Sequence, residues 1–95
     1  MDIAAYKGSL AGAEPPAGLS HALEALWWER KGNWPRAHQC AQQQGDAEGA
    51  WVHAYLHRVE GDMNNAGGWY RRAGRPVATA PLAEEWETIA RTLLG

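Results

Sequence analysis

A glycine followed at once by a short polar residue recurs at Gly32-Asn33, Gly45-Asp46 and Gly61-Asp62. Glycine takes up the left-handed backbone that ends a helix cheaply, and Asn or Asp accepts hydrogen bonds from the free N–H groups that open the next one. A chain punctuated in this way is confined to short helices joined by tight turns. Between the stops, apolar residues fall at helical spacing. Ala22, Leu23, Leu26 and Trp27 mark a first helix, capped by Ser20 and ended by Gly32. A second carries Pro35 in its first turn and runs to about Gln44, where three consecutive glutamines make it an outer helix. Trp51, Val52, Tyr55, Leu56 and Val59 form the stripe of a third, between Asp46 and Gly61. Met63, Ala66, Tyr70 and Ala73 mark a fourth, ended by Gly74, Arg75 and Pro76. A fifth opens at Pro81, with Leu82, Trp86, Ile89, Ala90 and Leu93 along one face. Upstream, Gly8, Gly12, Pro15, Pro16 and Gly18 break residues 1–18 into an expected irregular arm, which Ile3, Tyr6 and Leu10 can dock. Residues 19–95 form one domain.

A shift of 29 residues aligns Ala25 with Ala54, Trp27 with Leu56, Gly32 with Gly61, Asn33 with Asp62, Ala37 with Ala66 and Gly45 with Gly74. A repeated helix pair cannot bury its apolar face alone and stacks on its neighbour. The expected fold is therefore all-α: two stacked antiparallel helix-turn-helix hairpins closed by a C-terminal capping helix. The second copy, read as Gly61, Asp62, Ala66, Tyr70 and Ala73, resembles the tetratricopeptide repeat. The first copy carries Ala41 in place of the aromatic and Gln44 in place of the last alanine. The period is shorter than that family's, which is about 34. The resemblance covers residues 20–74. It implies a concave face that holds peptides, formed here by Trp51, Tyr55 and Arg58. Residues 50–76 are also similar to a group of small, uncharacterised, mostly bacterial proteins, which implies a whole protein rather than a piece of one.

Composition narrows the function classes. A net charge of −2 argues against a nucleic-acid partner. Cys40 is the only cysteine, so no internal disulfide forms. No apolar run approaches the roughly 20 residues needed to span a bilayer, and no secretory signal is visible, so the expected location is cytoplasmic with no membrane partner. Phe is absent and six residues are Trp. Each buried indole N–H needs an acceptor, which points to helix crossings with polar edges or to exposed binding residues.

Three groups of residues carry candidate chemistry. His53 and His57 are four apart on one helix, so their rings share a face. Zinc enzymes of the HExxH type use that spacing, but Ala54 stands where their general base would be. Glu60 offers a carboxylate as a third metal ligand. The same imidazoles also suit hydrogen bonds between packed helices. Trp51, Tyr55 and Arg58 are residue types favoured at binding hot spots, and equally suit a core. Arg71, Arg72 and Arg75 are the densest basic cluster, fit for acidic groups or for complementing a helix end. Gly67 and Gly68 inside the fourth helix cost about 1 kcal/mol each against alanine, which calls for close approach of a bulky neighbour or a ligand. Cys40 has His38 two residues away, which on a helix points elsewhere, and no serine sits in a catalytic setting.

These features favour a non-enzymatic module that docks an acidic protein or peptide partner, with no cofactor and no catalytic residue. The first alternative is a metal- or small-molecule-binding protein, or an enzyme, centred on His53, His57 and Glu60 with Arg58. The second is self-association through the open ends of the helix stack.

Overall fold

The computed structural model describes residues 1–95 and is all-helical. Its helices are α1 (Ile3–Gly8), α2 (His21–Arg30), α3 (Trp34–Gln42), α4 (Ala47–Val59), α5 (Met63–Ala73) and α6 (Leu82–Leu94). Each of the four central helices opens on the expected cap. Ser20 Oγ accepts from the Leu23 amide at 3.2 Å, and Asn33 Oδ1 from Arg36 at 3.2 Å. Asp46 Oδ1 accepts from Gly49 at 2.9 Å, and Asp62 Oδ1 from Asn65 at 3.2 Å. Gly32 and Gly61 take φ of +85° and +86° at the two tight turns. Helix α2 packs on α3 and α4 on α5, with α3 and α4 in contact across the middle. Helix α6 lies across α2 and α4. No helix is long and apolar enough to cross a membrane.

Two expectations need correction. Helix α3 ends at Gln42, and Gly45 is not in the left-handed region. The chain leaves α3 through Gln44 instead, whose Oε1 accepts from the Ala22 amide at 2.8 Å and whose Nε2 donates to Asp46. The arm is not wholly irregular. It holds α1 and a 3-10 turn at Ser9–Ala11. Six residues are too few to sustain an isolated helix, so packing decides the outcome. Asp2 caps α1, and Tyr6 is fully buried with its ring 5.7 Å from that of Trp86. The Tyr6 hydroxyl donates to the Leu23 carbonyl at 2.5 Å. Lys31 Nζ donates to the carbonyls of Leu10 at 2.7 Å and Gly12 at 3.0 Å.

The core runs along the α2–α4–α6 junction, through Leu26, Trp27, Val52, Leu56, Trp86 and Ile89. Its indoles are satisfied: Trp27 Nε1 donates to Ser9 Oγ at 3.0 Å and Trp86 Nε1 to the Leu26 carbonyl at 2.9 Å. The Cα radius of gyration is 12.1 Å, against about 12 Å for a packed chain of this length. The arm is therefore part of the body.

Candidate functional site: a histidine cluster between α3 and α4

The face read as a peptide groove is closed. Trp51 and Tyr55 are 6% and 2% exposed. Helix α6 packs on α4, and the segment before α6 folds back so that the Arg75 guanidinium lies 3.7 Å from the Trp51 ring centroid. The Tyr55 hydroxyl donates to Glu29. Arg58 Nη1 donates to Glu85 Oε1 at 2.8 Å, Nη2 reaches the Ala80 carbonyl, and the Tyr70 hydroxyl donates to the other Glu85 oxygen. Burial is the main reason that the Tyr55 and Tyr70 phenols sit far above their ordinary pKa, so both remain donors to carboxylates. Arg58, Tyr70 and Glu85 form a buried, mutually satisfied set that ties α6 to the second helix pair.

The basic cluster is dispersed in the same way. Arg58 is held by Glu85 and Arg75 by Trp51, and Arg72 stacks on the Trp69 ring at 4.6 Å. Nothing bulky approaches Gly67 or Gly68. A Cβ at either would meet only the Arg71 guanidinium, at 3.9 and 3.8 Å. The close neighbour expected there is absent.

The histidines, by contrast, converge, and a third one joins them. His38, on α3, projects onto the face of α4 that carries His53 and His57. One ligand nitrogen from each of the three lies within 4.8 Å of the others. Ring centroids are 4.6 Å apart for His38–His53, 5.3 Å for His38–His57 and 4.9 Å for His53–His57. Two indoles wall the cluster. Trp34 stacks on His38 at 4.9 Å, and Trp69 stacks on His53 at 3.7 Å. Trp34 is itself fixed, because its Nε1 donates to the Leu56 carbonyl at 2.8 Å.

Glu60 is in the site, against His57. Its Oε1 lies 2.6 Å from His57 Nδ1. A carboxylate only accepts, so Nδ1 donates to it, and in the neutral ring that leaves Nε2 as the nitrogen free to bind a metal. That is the outer-partner arrangement that orients metal-bound imidazoles. His38 and His53 have no hydrogen-bond partner in the protein; no buried side-chain nitrogen is left unpaired, so their free ring nitrogens reach solvent even though His53 is only 4% exposed. Burial, reinforced by the neighbouring His38 and His57, lowers the His53 pKa to about 4. Burial and His57 lower that of His38 as well. Both rings are therefore neutral near pH 7, with nitrogen lone pairs available. A second set, His57, Glu60 and Asp62, also brings ligand atoms together. It shares His57, and its Asp62 carboxylate is already occupied in capping α5.

His53 is also a wall of an open cleft of about 440 Å³. The end of α3, the α3–α4 turn, the start of α4 and the Trp69–Arg72 edge of α5 enclose it. Comparison with protein families, with curated proteins and with solved structures finds no match to this chain.

Sequence reasoning missed His38. The cue was present, since His38 lies one helical turn after Trp34. Which face of α3 meets α4, however, is a property of packing and not of spacing within either helix.

Proposed function

We propose that the protein binds a late first-row divalent metal ion, zinc foremost, through His38, His53 and His57. The observation that carries this reading is the convergence of three imidazoles from two helices, with Glu60 hydrogen-bonded to His57 Nδ1. Neutral imidazole suits zinc and its neighbours, and poorly suits magnesium or calcium, which take oxygen ligands. Nitrogens bound to a tetrahedral zinc at 2.0–2.1 Å stand roughly 3.4 Å apart, and one nitrogen of each of the three rings already lies within 4.8 Å of the others. His38 and His53, whose ring nitrogens have no partner in the protein, gain one in the process. Three protein ligands leave a fourth position for water or another donor. The helix pairs act as scaffold, and the ion fastens α3 to α4. The peptide-docking reading that the sequence favours has less support, because Trp51 and Tyr55 are buried and Arg58 is paired with Glu85.

The test is a zinc titration of chelator-treated protein, by competition with a chromophoric chelator. One equivalent is expected to bind, and His38→Ala, at a half-exposed position that folding tolerates, should lower affinity by about 100-fold or more, beyond the 10–100-fold of a lost outer partner. At 100 times the dissociation constant, the wild-type protein gains about 2.7 kcal/mol in stability. Equal zinc affinity in wild type and His38→Ala rejects the proposal.

A further inference from the structure

Beyond the metal site lies a second observation, in the cleft that shares His53 with it. Two opposite charges open onto this cleft without pairing. Arg72 stacks on Trp69 and forms no ion pair with any carboxylate of the chain. Asp46 forms no ion pair either, and its carboxylate accepts only from the Gly49 amide and Gln44 Nε2. Both residues line the cleft with Gln42 and Gln44, over a floor made by Ala41, Ala47 and Ala50. The volume of about 440 Å³ falls in the range of small-molecule sites, about 300–1,000 Å³.

We propose that this cleft binds a small zwitterion of the α-amino acid type, its carboxylate on Arg72 and its ammonium group on Asp46. A guanidinium fork matches a carboxylate in a two-point contact, and stacking on Trp69 fixes the plane of the fork in advance. Asp46 accepts three hydrogen bonds from two donors, only one of them on Oδ2, and so keeps lone pairs for a charged donor. The same Asp46 charge repels a phosphate dianion, so a singly charged carboxylate is the better anion here. The alanine floor leaves room for a short apolar side chain and no charge to meet a longer one. This site is independent of the metal proposal and is tested on metal-free protein.

The experiment is isothermal calorimetry of the chelator-treated full chain with L-alanine, acetate, methylamine and inorganic phosphate as separate probes. L-alanine is expected to bind saturably and at least 10-fold more tightly than acetate, methylamine or phosphate. Arg72→Ala, on an exposed side chain, and Asp46→Asn, which keeps the α4 cap, should each weaken L-alanine binding at least 10-fold while circular dichroism and Tm stay near wild type. The proposal is overturned if L-alanine gives no saturable heat, if phosphate or acetate binds as tightly, or if both variants bind L-alanine like the wild type.

Discussion

At the scale of single residues, the histidine cluster has a consequence for acid stability. His53 in the metal-free fold has its pKa near 4, below the ordinary 6.5 or so of an unfolded histidine. It is faced by His38 from α3, by His57 on its own helix and by Arg72 and Trp69 from α5. Between these two pKa values the unfolded chain binds a proton that the folded chain does not, so stability rises with pH across that window. The stabilisation is fully present above pH 6.5 and is lost as pH falls towards 4. The whole effect is at most about 3 kcal/mol and is reduced by the solvent that reaches the ring. Chemical denaturation of metal-free protein at a series of pH values should show this slope, and His53→Phe, which keeps the stacking on Trp69 without a titrating nitrogen, should flatten it. A slope unchanged in His53→Phe would mean that other groups carry the acid sensitivity.

At the scale of elements, glycines separate two kinds of constraint. Gly49 sits one turn into α4, where an added Cβ would lie 1.9 Å from the Gln44 carbonyl oxygen. Gly49→Ala therefore forces the α3–α4 turn to move and should cost about 1–3 kcal/mol. Gly67 faces open space apart from the Arg71 guanidinium, so Gly67→Ala should stabilise α5 by up to about 1 kcal/mol. Urea denaturation midpoints of the two variants should move in opposite directions. The same contrast shows what the sequence makes legible. Caps at Ser20, Asn33, Asp46 and Asp62 and stops at Gly32 and Gly61 are local, and each can be read from a few neighbouring residues. Gly67 and Gly49 look alike in a string of letters, because a close approach from another segment has no local signature. For the same reason, His53 and His57 are legible as a pair on one helix, whereas His38 joins them only once α3 is laid against α4. Trp51 and Tyr55 are chemically fit for a hot spot, and only the placement of α6 and of Arg75 makes them core.

At the scale of the molecule, the first twelve residues decide how closed the body is. Tyr6 fills a fully buried site between α2 and α6, stacked on Trp86. Tyr6→Ala should destabilise the whole fold by about 3–5 kcal/mol, as other aromatic truncations in cores do. That is a large part of the 5–15 kcal/mol that such a domain commands, so its thermal melt should drop by many degrees. A melt within a degree or two of wild type would show that α1 rests on the surface without contributing to the core. Through α6, the arm and the second helix pair share one core, and the histidine cluster stands at its α3–α4 edge behind Trp34 and Trp69, which pack against that core.

Whether His38, His53 and His57 hold a metal is read by X-ray absorption at the zinc edge on protein loaded with one equivalent of zinc. Three imidazole nitrogens at about 2.0–2.1 Å, with one further light ligand and no sulfur, are expected. A sulfur shell near 2.3 Å would place the ion at Cys40 instead, and a shell of oxygens with fewer than two imidazoles would show that the histidine cluster only packs the helices together.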